Sequence, residues 1–129
     1  MTTKYSRKTG APAGGFAPFP AGAAEIVLTS VYMDGLTPED RIVLKPEIGW
    51  VKPAYWDTGE LEVILREHSP EGPVVYWTLE TCFEKALTSE SCTVLCSRSE
   101  HVYYLSVRSS EARAVITGPY SLQGSVLSG

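Results

Sequence analysis

The chain has 129 residues, of which 43% are hydrophobic and 20% are charged, a composition that predicts one globular domain with a two-layer core. It contains no apolar run of about 18 residues, which excludes a transmembrane helix, and the basic residues near Met1 are not followed by the apolar stretch of a secretory signal. Residues 1–24 contain three basic and no acidic side chains, a net charge of +3, whereas the remainder contains 8 basic and 15 acidic side chains, a net charge of −7. We therefore expect the body to repel nucleic acid and only the tip of the N-terminal segment to attract it weakly.

The first 23 residues are predicted to form a flexible arm that precedes a β domain over residues 24–129. Residues 10–23 (GAPAGGFAPFPAGA) are almost entirely Gly, Ala and Pro, which disfavour a regular hydrogen-bonded ladder. Phe16 and Phe19 interrupt this composition, and they either pack back onto their own domain or dock on a neighbouring molecule. The residues predicted to contact a partner are the basic and aromatic side chains of the arm: Lys4, Tyr5, Arg7, Lys8, Phe16 and Phe19.

After the arm, short strand-forming segments alternate with turn signals. The first four are Glu25–Met33, Arg41–Lys45, Gly49–Tyr55 and Glu60–Glu67. Pro46 is predicted to end the second segment, and Lys52-Pro53 makes the third an edge strand or a loop. The fourth alternates apolar and charged side chains, which is typical of a half-buried strand.

The second half of the chain continues the same pattern. The further segments are Val74–Phe83, Cys92–Ser97, His101–Arg108, Ala112–Thr117 and Tyr120–Leu127, with a short helical turn predicted over Glu84–Glu90. Parallel strands need crossover helices, for which the chain has no room, so the strands are predicted to be antiparallel. We therefore predict an all-β fold, a single antiparallel β-sandwich with an extended N-terminal arm. A jelly roll is the first choice and an immunoglobulin-like sandwich the second, because the Cys–Trp–Cys spacing of immunoglobulins is missing.

Four residues offer the sulfur and nitrogen ligands that zinc prefers: Cys82, Cys92, Cys96 and His101. There is no C-x-x-C motif, and two cysteines four residues apart on one strand are separated by about 13 Å, too far for one ion. We predict no metal and no cofactor. Three reduced thiols are expected, with a Cys82–Cys92 disulfide as the alternative in an oxidising compartment.

No catalytic motif is present. His68 and His101 are the only histidines, fewer than a metal-dependent enzyme of the jelly-roll class usually needs, and neither lies in a nucleophile motif such as G-x-S-x-G. Glu60 and Glu62 share a strand face, which is more typical of a solvated surface than of a pair of catalytic carboxylates. We predict a protein without enzymatic activity and without catalytic residues.

Trp50, Tyr55 and Trp56 are clustered in an irregular, Pro-containing stretch. Exposed aromatic rings of this kind can form a platform for sugars or for a protein partner. The alternative is that the three rings cover an open end of the sandwich.

The layout of a short arm followed by a compact domain of about eight strands resembles that of virus coat proteins and phage capsid-decoration proteins. The resemblance implies an arm that docks on neighbouring subunits, a partner that is a second copy or a capsid shell, and a location in the virion. With Lys4, Arg7 and Lys8 as its only basic residues, the arm favours protein–protein assembly over genome binding. The alternative is a carbohydrate- or ligand-binding β-sandwich in the cytoplasm; neither hypothesis involves a membrane.

Overall fold

The computed structural model describes residues 2–129, and these residues form two antiparallel β-sheets without an α-helix. The predicted all-β, antiparallel sandwich is therefore confirmed. Within the described residues there is no helix long and apolar enough to cross a membrane. The strands are β1 (Thr3–Ala11), β2 (Phe19–Ala21), β3 (Ile26–Met33), β4 (Arg41–Val51), β5 (Gly59–Glu67), β6 (Val74–Cys82), β7 (Lys85–Ser89), β8 (Cys92–Leu95), β9 (His101–Arg108) and β10 (Ala114–Leu127).

The strand pairing is nested. The first sheet has the order β1-β10-β4-β7, with β2 also on β10 and β8 also on β4, and the second sheet has the order β3-β9-β5-β6. The first strand thus pairs with the last, β3 with β9, β4 with β7 and β8, and β5 with β6. The chain is a long hairpin folded over on itself, and its inward side chains fill the space between the two sheets.

The core contains the large apolar side chains of both sheets. The largest that are almost completely buried are Trp50, Tyr103, Met33, Ile42, Leu44, Ile48, Leu61, Leu65, Leu105, Ile116 and Leu122. On β5 the burial extends to both faces, because Ile64 on the outer face is only 3% exposed. Removing this apolar area from water is the main stabilising contribution to the fold.

Strand β4 runs without interruption through Pro46, which the sequence predicted to end it. Residues 41–44 pair with β8 and residues 47–51 pair with β7, so Pro46 lies at the gap between these two partners. Proline is tolerated there because no ladder partner on that side requires its missing N–H. The Pro46 carbonyl accepts a hydrogen bond from the backbone N–H of Glu90 in the β7–β8 turn, at 3.1 Å.

Two further segments differ from the sequence prediction. The helical turn predicted over Glu84–Glu90 is strand β7, in which Ala86 and Thr88 lie on the buried side and Leu87 is exposed. The segments Ala112–Thr117 and Tyr120–Leu127 are joined in the single strand β10. The register of its pairing with β4 shifts between Ile116 and Tyr120.

The N-terminal segment is the main difference from the sequence prediction, because residues 3–11 are a strand of the first sheet and not part of a flexible arm. Residues 3–11 form an edge strand paired with β10 from Thr3↔Leu127 to Ala11↔Tyr120. The Thr9 hydroxyl donates to the Ser30 carbonyl at 2.8 Å, which ties the first sheet to β3 of the second sheet. The Gly/Ala/Pro composition of residues 10–23 masked the strand-forming Thr and Tyr residues that precede it.

Candidate functional site

The predicted aromatic platform is not present on the surface as a unit. Trp50 is 1% exposed and donates its indole N–H to the Thr88 hydroxyl at 2.9 Å, so it belongs to the core. The Trp56 ring is covered by the Arg113 guanidinium, whose carbon lies 3.9 Å from the ring centroid. Only Tyr55 is free to contact a ligand, with 78% of its surface exposed.

The three cysteines and His101 are not gathered into a metal site within residues 2–129. Cys82, Cys92 and Cys96 are free thiols at three places in the sandwich. Burial raises the pKa of each thiol, which favours the protonated form over the thiolate that metals bind. His101 lies instead beside Glu67 and His68.

Three residues, which we call the Glu67 cluster, lie together: Glu67, His68 and His101. Their ligand atoms all lie within 4.8 Å of one another. His68 Nε2 is 2.7 Å and His101 Nδ1 is 3.4 Å from the Glu67 carboxylate oxygen Oε1. The two imidazole rings stack with their centroids 5.6 Å apart.

The residues predicted to form a docking arm contact their own domain. Lys4 Nζ lies 2.8 Å from the Asp40 carboxylate, whose side chain is 1% exposed. Tyr5 and Arg7 both bind Asp34: the phenol donates to its carbonyl at 2.6 Å, and the guanidinium forms an ion pair with its carboxylate at 2.9 Å.

Of the remaining arm residues, the two phenylalanines pack on the domain, whereas Lys8 does not. Phe16 packs against Phe19 and Tyr120, with ring centroids 5.7 and 5.1 Å away, and both phenylalanines lie against the core. Lys8 is exposed. Whether any of these side chains also contacts a second molecule stays a prediction.

On the outer face of the second sheet lies a cleft of about 350 Å³, which we call the Trp77 cleft. It is lined by Glu60, Glu62, Trp77, Leu79, Arg108, Ser109, Ser110 and Glu111. Trp77 is 52% exposed, and its indole N–H donates to Glu62 Oε1 at 3.0 Å, which fixes the orientation of the ring. Glu62 also accepts two hydrogen bonds from Arg108, at 2.7 and 3.0 Å. The cleft therefore combines a fixed aromatic face with charged groups.

Ion pairs hold three carboxyl groups of the sandwich in the charged state. Hydrogen bonds from Arg108 hold the pKa of Glu62 below its usual range, despite burial, which acts in the opposite direction. A hydrogen bond from Arg66 likewise lowers the pKa of Glu25, and a hydrogen bond from Lys4 lowers the pKa of Asp40. Glu25 and Glu62 lie on the outer side of the second sheet and Asp40 lies beside β1.

We predict that the free energy of unfolding falls as the pH is lowered. A carboxyl group whose pKa is depressed on folding stabilises the folded state above its unfolded pKa of about 4, and this contribution is lost as the pH falls through the lower, folded-state value. Urea denaturation between pH 7 and pH 2 should show the loss, and Glu62→Gln should make it less steep because glutamine does not titrate. Equal losses in the two proteins would contradict the assignment to Glu62.

The outermost strand of the second sheet, β6, has an unpaired edge, which we call the β6 edge. Among residues 2–129, its only strand partner is β5. Val74, Trp77 and Leu79 are 48%, 52% and 45% exposed on its outer face. Exposed apolar side chains beside a free strand edge are typical of a surface that pairs with another strand.

The chain was compared with protein-family models and with curated proteins, and neither comparison found a match. The candidate sites are therefore defined by the structure. Trp77 and Glu67 were not predicted from the sequence as site residues. The available signal for Trp77 was a large aromatic side chain on the predicted strand Val74–Phe83, but the sequence did not tell which face of that strand was covered.

Proposed function

We propose that the protein is a non-enzymatic assembly protein, a self-associating β-sandwich of the kind from which virus or phage shells are built, and that two copies pair through the β6 edge. The observation that carries this proposal is the combination of an unpaired nine-residue strand with exposed Val74, Trp77 and Leu79. The occupant we propose for this edge is the same strand of a second copy.

The nested pairing favours the jelly-roll form of the sandwich. A jelly roll is a two-sheet fold whose strands form two Greek keys, and it occurs in viral capsid proteins and lectins. Pairing of the first strand with the last, and of β5 with β6 at the closed end, is expected for a long hairpin rolled into two sheets.

The other sheet edges carry protection that β6 lacks. Strand β1 presents Lys4, Arg7 and Lys8, and its side chains cover the backbone of β3, where the Arg7 guanidinium donates to the Tyr32 carbonyl at 2.7 Å. The edges formed by β7 and β8 are short, five and four residues. Lysine and short length are two ways in which proteins block edge-to-edge pairing, and β6 contains neither Lys nor Pro.

The sequence of β6 is suited to antiparallel pairing with itself. In a register centred on Thr78, Trp77 of each copy lies opposite Leu79 of the other copy, and Tyr76 lies opposite Glu80. Aromatic–aliphatic cross-strand pairs stabilise sheets, and no two like charges face each other in this register. The pKa of Glu80, the single carboxyl group of β6, is raised by its hydrogen bond with Glu90.

We predict that Leu79→Lys disrupts this association. It places an ammonium group opposite Trp77 in both halves of the pair, so the dissociation constant should rise at least about tenfold. Light scattering after size-exclusion chromatography, over a series of protein concentrations, measures the effect. The matched control is Leu95→Lys, which changes a side chain that is 69% exposed on β8 in the other sheet.

Two results would contradict the proposal. One is a wild-type protein that stays monomeric at the highest concentration tested. The other is an equal loss of association in Leu79→Lys and Leu95→Lys. At concentrations at which all three proteins are monomeric, the melting temperatures of both variants should match that of the wild type, since both side chains lie at the surface.

A monomeric protein would favour the second candidate function, the binding of a carbohydrate or another small ligand. The observation behind it is the Trp77 cleft, where the half-exposed indole ring borders Glu60, Arg108 and Glu111. An aromatic face beside charged hydrogen-bonding groups is suited to stacking and orienting a polar ring. This alternative uses Trp77 in place of the predicted platform.

A further inference from the structure

We propose that Glu67, His68 and His101 bind one divalent transition-metal ion, with zinc as the expected occupant. This inference is independent of self-association through β6. Two imidazoles and a carboxylate are a ligand set that suits zinc and neighbouring first-row metals.

The distances fit such a site. Zinc–nitrogen and zinc–oxygen bonds of about 2.0–2.2 Å place two ligands of a tetrahedral ion roughly 3.4 Å apart. His101 Nδ1 and Glu67 Oε1 are 3.4 Å apart, as required, whereas His68 Nε2 lies 2.7 Å from the same oxygen, a hydrogen-bond distance that has to widen when a metal binds. With all three ligand atoms within 4.8 Å, small side-chain rotations are sufficient to surround one ion.

The buried state of His101 is the second observation that points to a ligand. Its side chain is 0% exposed, and within residues 2–129 its Nδ1 atom makes no hydrogen bond. A buried polar atom without a partner costs free energy, because it has lost its bond to water. This atom faces the Glu67 carboxylate, and coordination to a metal would satisfy it.

The backbone holds the three residues in place from two adjacent strands. Glu67 ends β5 and lies opposite Tyr103 of β9, and His101 begins β9. His68 follows with a φ of +74°, a conformation that is strained for a histidine, and its N–H donates to the Val102 carbonyl at 2.9 Å. The fold thus turns His68 back toward the start of the neighbouring strand.

Coordination requires a change in the tautomer of His101. The Ser97 N–H donates to His101 Nε2 at 3.3 Å, so in the metal-free neutral ring the proton is on Nδ1. Metal binding through Nδ1 moves the proton to Nε2 and ends the bond from Ser97. The buried Nε2–H then faces the Ser97 N–H, so the Ser97 N–H must turn away, and this cost opposes metal binding.

A fourth coordination position would face solvent. The two imidazoles border a cleft of about 290 Å³, which is also lined by Tyr32, Arg98, Ser99, Glu100 and Val102. Three protein ligands and one open position are typical of zinc sites that hold a water molecule or bind a small anion.

The test uses the full chain, freed of metal with a chelator and kept reduced. Titration with Zn²⁺ in a calorimeter should give one site with a Kd on the order of 1 µM or tighter. The Co²⁺ derivative should show d–d absorption of a nitrogen- and oxygen-ligated ion without the intense near-ultraviolet band of a thiolate ligand. In NMR spectra the Ser97 amide should shift, and the His101 proton should move from Nδ1 to Nε2.

His68→Asn is the decisive variant, because asparagine tolerates positive φ better than most residues and His68 is partly exposed, so the fold is retained. It should weaken zinc binding at least about tenfold. Glu100→Gln, which removes a carboxylate that lines the same cleft, is the matched control and should leave the affinity unchanged. His101→Gln serves only as a supporting variant, since this side chain is fully buried.

Three results would overturn the proposal: no zinc binding, a thiolate band in the Co²⁺ spectrum, or equal affinity of His68→Asn and the wild type. Binding that is lost equally in Glu100→Gln would also overturn it, because it would show that general negative charge and not the ligand set attracts the ion. The state of association of these variants should match that of the wild type, which separates this test from that of the β6 edge.

Discussion

Deletion of residues 2–11 should lower the melting temperature by roughly 15 °C, or leave the protein unfolded at 37 °C. The deletion removes the whole of β1, so β10 would lose the ladder on one side from Tyr120 to Leu127. The deletion also removes Tyr5 from the edge of the core and Lys4 from the buried Asp40 carboxylate. At about 1 kcal/mol for each lost hydrogen bond and about 1.5–3 kcal/mol for an aromatic side chain, the loss is on the order of 5 kcal/mol.

Thermal unfolding followed by circular dichroism measures this effect. Lys8→Ala is the matched control, because Lys8 belongs to the same strand and its side chain is exposed; its melting temperature should stay within about 2 °C of the wild type. If the truncated protein melts at the wild-type temperature, the segment is an arm that the domain does not require, as its composition predicted.

The second large effect is expected for Trp50→Ala, which should reduce the free energy of unfolding by about 3–5 kcal/mol. Trp50 is the largest of the almost completely buried side chains, and its removal leaves a cavity between the sheets and deprives the buried Thr88 hydroxyl of its donor. Urea denaturation at neutral pH measures the loss.

Tyr55→Ala is the matched comparison, since Tyr55 belongs to the same aromatic triplet but is 78% exposed. Its free energy of unfolding should change by no more than about 0.5 kcal/mol. A similar loss in both variants would mean that Tyr55 contributes to the fold as Trp50 does, contrary to its exposure. A small loss for Trp50→Ala alone would contradict the core position of that ring.

Local patterns were sufficient to predict most strands. His101–Arg108 is predicted and observed with the same bounds, and Glu60–Glu67 differs from β5 by one residue. Their alternation of apolar and polar side chains can be read without a partner, although β5 is not half-buried as predicted, because Glu62 and Ile64 on its outer face are also covered. The segments that were wrong are those in which the tertiary partner decides: Pro46 inside β4 and the short strand β7.

The N-terminal strand shows the same limit. Residues 3–11 contain no alternation of large apolar side chains, and their pairing with β10 depends on residues more than a hundred positions away. The contacts of Tyr5 and Arg7 with Asp34 are likewise visible only in three dimensions. Composition alone favoured a flexible segment because the neighbouring residues 10–23 are rich in Gly, Ala and Pro.

The candidate sites were less predictable than the fold. His68 and His101 are 33 positions apart, and the sequence placed them at unrelated strand ends. The antiparallel pairing of β5 with β9 brings these two ends together with Glu67, whose side chain had been assigned no role. The signal for such a site is a pair of neighbouring strands with metal-ligating residues at the ends that face each other. It can be recognised only when the neighbouring strands are known.

The nested pairing has a consequence for the order in which the chain folds. The innermost hairpin, β5 with β6, closes over the short turn between residues 67 and 74, so its formation costs little loop entropy. Once this hairpin has formed, β4 and β7 are close to each other before they pair. The pairing of β4 with β7 then brings β3 close to β9, and that pairing in turn brings β1 close to β10. Each step adds only a modest closure cost, so we expect native structure to spread from the middle of the sequence outward, and Thr3 and Leu127 to be joined last.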